Sequence, residues 1–269
     1  MENLEDNIAV ARLNRDLRAA AETMSTQEAR YLVDAYYAIQ KMRIAQGNRV
    51  FAMSEEPHGV IKWLGDQSEI LEGQIKAALD RYSMAHPVGK WMRGVVGIGP
   101  VIAAGLLAHI DITKAPTVGH IWRFAGLDPT MKWEKGQKRP FNAALKVLCW
   151  KLGESFKKTS GHDEGYYGKL YRERKEKEVA RNQSGEHKEE SERCLKSRKM
   201  DKSSPMYKAY AEGRLPDGRI DLRATRWAVK LFLSDLHRIW YRLEFGKEPP
   251  KPYPIAILGH AHERIAPNV

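Results

Sequence analysis

Cysteine is scarce in this chain of 269 residues: Cys149 and Cys194 are all it has, and neither lies in a Cys-x-x-Cys pair or beside a histidine cluster. A disulfide framework or a structural zinc site needs more ligands than that, so neither is expected, and a reducing compartment suits the thiols. Long apolar runs are missing too, and no stretch approaches the ~18 residues of a membrane span. The opening residues, Met1-Glu2-Asn3-Leu4-Glu5-Asp6, lack the basic and apolar pattern of a signal peptide. A soluble, cytoplasmic protein with no membrane partner is the expectation. Alternating strand patterns and internal repeats are also absent, which leaves an all-α chain.

Positive charge is plentiful. Lys and Arg number 45 against 34 Asp and Glu, a formal net charge of +11. Such a balance favours nucleic acid or another anionic surface as partner. The length allows one large domain or two ordinary ones.

Residues 1–86 read as an N-terminal helical hairpin or coiled coil. A thin stripe of Val10, Leu13 and Leu17 marks a first polar helix. Ser25-Thr26-Gln27-Glu28 is a capping box, in which the serine caps a helix and the glutamate reaches back. Leu32, Ala35, Tyr36, Ile39 and Met42 follow at helical spacing, with Gly47-Asn48 as a weak point. Glu55-Glu56-Pro57 suits the start of another helix. Its stripe of Leu64, Ser68, Leu71, Ile75, Ala78 and Tyr82 is close to a heptad. Two such helices either pack in a core or dimerise the chain.

Residues 87–158 carry the densest signals. Val95-Val96-Gly97-Ile98-Gly99-Pro100 separates a helix containing Lys90 and Arg93 from an apolar helix running from about Pro100 to Ala108. Gly97 and Gly99 allow φ > 0, and Pro100 suits a first helical turn. This helix-hairpin-helix pattern points free backbone N–H groups at an anion. After His120 to Ala125 comes Gly126-Leu127-Asp128-Pro129, in which Asp128 reads as a turn residue. Lys132, Trp133, Lys135, Lys138 and Arg139 then form a basic loop with one aromatic, a pattern suited to phosphate and base contact. The helix beyond it places Leu145, Leu148, Cys149 and Leu152 in the core.

Residues 159–204 alternate Lys, Arg and Glu, as in Tyr171-Arg172-Glu173-Arg174-Lys175-Glu176. This charged insertion reads as solvent-exposed or partly disordered, with direct nucleic-acid contact as the other reading. Residues 205–269 hold Pro216-Asp217-Gly218 as a turn, a long amphipathic helix over 220–245 closed by Gly246, and a Pro-rich tail.

Gly97-Ile98-Gly99-Pro100 followed by Phe124-Ala125-Gly126-Leu127-Asp128-Pro129 resembles the C-terminal helix-hairpin-helix domain of insertion-sequence transposases with a RuvC-like DEDD domain, and of the related Piv-type invertases. The resemblance covers roughly residues 88–155 and implies DNA binding. That family adds a βα domain with four metal-binding acids and a nucleophilic serine in the loop. No stretch before residue 88 reads as strands, and Thr130 to Lys138 contains no serine. The resemblance therefore implies the DNA-gripping part of a transposase without its chemistry.

Other chemistry is sparse. His260 and His262 offer two metal ligands where a structural zinc needs four. His109 with Asp111, and His162 with Asp163 and Glu164, are isolated acid–base pairs. No cofactor is expected. Three readings stand: a DNA-binding module, with RNA as a variant, dimerised through its N-terminal helices; a diverged metal-dependent transposase or nuclease using Asp111, Asp128, Glu134 or the C-terminal histidines; and a phage or mobile-element regulator that contacts protein.

Overall fold

A computed structural model describes residues 12–52, 59–197 and 199–250. These form eleven α-helices and two short 3-10 turns, with no strand among the described residues, so the chain is all-α. Val10, Glu55-Glu56-Pro57, His260 and His262 lie outside the described residues.

Two compact units are present. The first comprises residues 1–94 and 98–111, the second 95–97 and 112–269. The stretch read as a single core over 87–158 is therefore divided between them.

In the first unit, α1 (Arg15–Ala20) leads by a 3-10 turn to α2 (Thr26–Ala52). The capping box forms: the Ser25 N–H donates to Glu28 Oε2 at 2.7 Å and the Glu28 N–H to Ser25 Oγ at 3.2 Å. Gly47 does not end α2, which continues to Ala52 before α3 (Gly59–Ala85). The two run antiparallel, since Gln46 bonds to Ile61 while Gln40 and Arg43 bond to Glu72.

Only half of the expected apolar seam is buried. Ile75, Ala78, Leu79 and Tyr82 are core, whereas Met42, Leu64 and Leu71 are exposed. Polar side chains hold the other half together. Arg43 and Glu72 pair at 2.7 Å, and Gln46 Nε2 donates to the Ile61 carbonyl at 2.7 Å. Burial opposes ionisation of Glu72, but hydrogen bonds from Arg43, Gln40 and Tyr36 outweigh it and hold the carboxyl below its usual range.

α4 (Pro87–Arg93) and α5 (Pro100–His109) complete this unit. α5 is apolar on every side, and all its residues but Ile102 are buried, as befits a central helix. Arg30 Nε donates to the Ala108 carbonyl at 2.7 Å, satisfying one of the last-turn acceptors. Gly89 is required by packing, because a Cβ there would stand 1.9 Å from the Ser83 carbonyl oxygen.

The second unit is built on α11 (Asp217–Phe245), against which α6 (Val118–Phe124), α7 (Ala143–Lys158) and α8 (Tyr166–Gln183) pack. Pro216 caps α11, so Pro216-Asp217-Gly218 starts a helix instead of making a turn. Phe156, Tyr167 and Phe232 form an aromatic centre, with ring centroids 5.1 to 5.8 Å apart. The Tyr167 hydroxyl donates to the Asp235 carboxylate at 2.8 Å inside that core. α9 (Lys188–Ser197) and α10 (Pro205–Ala211) pack on each other, burying Cys194 and Tyr210 beside Leu215 and Ile220. Both cysteines are free thiols, and burial pushes Cys149 up to about 12.

The expectation of an exposed or partly disordered 159–204 holds for the many exposed side chains of this stretch but not for one face of α8. α8 buries Tyr167, Tyr171, Glu178 and Asn182, and Asn182 bonds both ways with the Leu215 backbone, at 2.9 and 2.8 Å. The charges of this stretch are used for pairing across helices, which a one-dimensional pattern of mixed signs does not reveal.

Gly89→Ala should destabilise the protein by about 1–3 kcal/mol through overpacking, more than the ~1 kcal/mol that alanine gains in a helix. Gly73→Ala, on the same bundle with nothing within 4 Å of its Cβ, should be neutral or stabilising. Thermal melts of the two variants check this; equal melting temperatures would disprove the close approach at Gly89.

Candidate functional site

The hairpin residues divide their work by atom type. Gly97 takes φ +96°, and a Cβ there would meet Thr159 Oγ1 at 3.0 Å and Phe156 Cδ1 at 3.2 Å. Its carbonyl accepts from Ser155 Oγ at 2.5 Å. Gly99 differs from expectation: its backbone is extended, φ −86° and ψ 173°, and a Cβ there would meet nothing within 4 Å. Ile98 is buried, and its carbonyl accepts from Arg93 Nη1 at 2.7 Å. Both carbonyls are thus engaged, and the chain makes a turn at Val96-Gly97 that aims the Ile98 N–H at the Val95 carbonyl, while no acceptor is seen for the Gly97 and Gly99 N–H groups among the described residues.

Lys90 is exposed on α4. Arg93 is not a free phosphate contact, because it is pinned between Asp80, at 3.0 Å, and the Ile98 carbonyl. It shapes the hairpin from within the first unit.

The basic loop belongs to the second unit, and its ends are fixed. α6 stops in a Schellman motif: the Gly126 N–H donates to Arg123 O at 3.0 Å and the Leu127 N–H to Trp122 O at 2.8 Å. Gly126 sits at φ +65°. Asp128 then forms the expected turn, accepting from the Thr130 N–H at 2.9 Å and Thr130 Oγ1 at 2.8 Å. These bonds, the backbone one first, hold its carboxyl below the usual range. At the far end the Asn142 N–H donates to Phe124 O at 2.8 Å, and Asn142 Oδ1 caps α7 through the Leu145 N–H at 2.9 Å. The result is a closed surface loop of the Ω type.

The loop's tip is internally braced. Gly136 turns the chain at φ +96°, the Trp133 indole N–H donates to Gln137 O at 2.9 Å, and the Arg139 guanidinium lies 5.5 Å from the Trp133 ring centre. Every residue from Lys132 to Pro140 is exposed. Lys132, Lys135, Lys138 and Arg139 have no ion-pair partner among the described residues, and the one nearby acid in sequence, Glu134, meets Gln137.

Elsewhere in this unit, three carboxylates each collect several cations. Glu178 is fully buried and faces Arg174, Arg181 at 3.2 Å, Arg223 at 3.1 Å and His187 at 3.3 Å. Glu190 pairs with Arg219 at 2.7 Å and Arg223 at 2.8 Å. Asp221 accepts from Lys157 at 2.8 Å, Lys175 at 2.9 Å and the Tyr171 hydroxyl. Burial alone would raise Asp221, but these three partners outweigh it and bring it to about 2. Part of a mixed-sign sequence is thus paired around Glu178, Glu190 and Asp221, whereas Lys132, Lys135, Lys138 and Arg139 cluster on the loop with no such carboxylate among the described residues.

Phe124, the first residue of the Phe-Ala-Gly-Leu-Asp-Pro motif, lies close to the loop through Asn142, and Phe141 and Lys146 adjoin it, although none of the three was expected as a binding residue. Lys146 Nζ lies 4.3 Å from the Phe141 ring centre. The legible signal was the boundary pair: a helix stop at Gly126 and a helix cap at Asn142 bracket a closed loop. The candidate acid–base residues are dispersed. His109 is buried in the first unit, Asp128 serves its turn, Glu134 is exposed, and His162 accepts from the Glu164 N–H at 3.1 Å. Among the described residues no group of three or more His, Cys, Asp or Glu side chains is placed to hold a metal.

No family model matches the chain, and neither curated proteins nor solved structures give a match.

The pairing of Asp221 gives a pH test. Its carboxyl is at about 2 in the fold against ~3.9 for an unfolded aspartate. The stabilisation is therefore complete above about pH 4 and lost as pH falls through the folded value. In urea titrations the stability gap between the protein and Asp221→Asn should be constant near neutrality and close towards pH 2. A gap independent of pH would contradict the triple pairing.

Proposed function

We propose that this chain binds nucleic acid, DNA in the first instance, by its phosphate backbone, and that it is a transposase-type DNA-gripping module without the catalytic half. The carrying observation is the set of unpaired cations Lys132, Lys135, Lys138 and Arg139 on a loop braced at both ends. A braced loop loses little conformational freedom on binding, so its cations meet phosphates at low entropic cost. The hairpin adds support of a different kind. Its carbonyls are tied down while the Gly97 and Gly99 N–H groups are not, the polarity that suits an anion. Contacts of this type read backbone position and shape, with little base readout, which fits bent or branched DNA.

Dimerisation through the N-terminal helices belongs to the same proposal. The connected ends of α2 and α3 expose Ile44, Phe51, Val60, Trp63 and Leu64, with Phe51 93% exposed. Neighbouring exposed apolar side chains of this size mark association surfaces.

Salt dependence tests the grip. The logarithm of the binding constant for duplex DNA should fall linearly with that of salt, and the slope should flatten by about 0.9 for each loop cation that holds a phosphate when Lys132, Lys135, Lys138 and Arg139 are changed to alanine. Binding that ignores salt would favour a protein partner and remove the proposal. Gly99→Val probes the hairpin better than Gly97→Val, because only Gly97 is conformationally and sterically required. In sedimentation, the protein should run as a dimer that Trp63→Glu with Leu64→Glu converts to monomer; a monomeric parent would eliminate the dimer.

A further inference from the structure

We infer that the base of the loop holds an unstacked nucleobase, which makes single-stranded or locally opened DNA the preferred ligand over continuous duplex. The inference rests on the backbone grip proposed above and specifies its substrate class. The Asn142–Phe124 backbone bond brings two aromatic residues far apart in sequence to one place. Phe124 and Phe141 then line an open cleft of about 450 Å³ with Lys138, Arg139, Pro140 and Asn142. That size falls within the range of about 300–1,000 Å³ in which small-molecule sites occur.

The chemistry of the walls selects the occupant. Phe124 is 44% exposed and stacks on no other ring among the described residues, so a flat aromatic group can enter and meet its face, while Phe141, with Lys146 over its ring, forms the other wall. Phe141 is held from behind, where Gly126 leaves space: a Cβ there would come within 3.0 Å of its ring. No acidic residue lines the cleft, and Lys138 and Arg139 at its rim are unpaired cations. An aromatic slot rimmed by cations fits a planar base carrying a phosphate on each side. A base inside duplex DNA is stacked on both faces and cannot enter, whereas a base in a single strand, a bulge or a junction can. The Asn142 side-chain NH₂, which donates to no described group, adds a hydrogen-bond donor for a base edge.

The experiment uses the full chain, a fluorescent single strand, the matching duplex, and a single strand carrying 2-aminopurine, whose emission is quenched on stacking. The single strand should bind more tightly than the duplex and should quench. Phe124→Ala should weaken single-strand binding by about 5- to 150-fold, the alanine effect for one stacked base, and abolish quenching, while duplex affinity and its salt slope stay unchanged. Phe124→Tyr should restore both. If duplex and single strand bind equally and Phe124→Ala changes neither, the cleft assignment is wrong while the phosphate grip survives. Failure of the parent protein to bind any of the DNAs overturns both.

Discussion

A carboxylate buried as completely as Glu178 is tolerable only when cations surround it, since an unpaired charge in the interior costs several kcal/mol. The cations are Arg174, Arg181 and Arg223, with the His187 ring 3.3 Å away, and Arg223 reaches on to Glu190. That requirement fixes α8 and the start of α9 against α11. Cations that serve Glu178, Glu190 and Asp221 are neutralised in place. Those of the loop after α6 have no carboxylate to serve and face solvent.

The same loop depends on backbone bonding more than on side-chain packing. A Schellman stop, an Asp128 turn, an indole bond to Gln137 and the Asn142 cap satisfy donors and acceptors that would otherwise need water or would let the loop wander. The hairpin follows a related logic. Arg93 and Ser155 donate to two of its carbonyls. In both places the local structure leaves one half of the peptide group bonded within the fold.

Much of this was legible in the residues. Ser25 to Glu28 forms its box, Pro100 opens α5, Asp128 makes its turn, Gly246 closes α11 at φ +65°, and Leu145, Leu148, Cys149 and Leu152 are core. Each follows from local chemistry within a few positions. Errors fell where distant partners intervene. The stripe Leu64 and Leu71 is apolar at heptad spacing, yet Glu72 and Arg43 form the seam because the facing part of α2 is polar. Tyr171 to Gln183 looked solvated until Leu215 and Arg223 were beside it.

The sequence by itself determined an all-α chain, its capping and turn chemistry, the excess of positive charge, and the stretch in which the loop cations lie, because these depend on neighbours along the chain. Only the tertiary structure decided which cations are neutralised, which glycine is sterically required, and that Phe124 and Phe141 share one cleft. Those outcomes depend on groups brought together from far apart in the chain, and periodicity holds no record of such distances. The Gly-Ile-Gly hairpin stands across that divide: its residue types announce a turn before a helix, but Arg93, held by Asp80, and Ser155 determine which of its carbonyls are bonded.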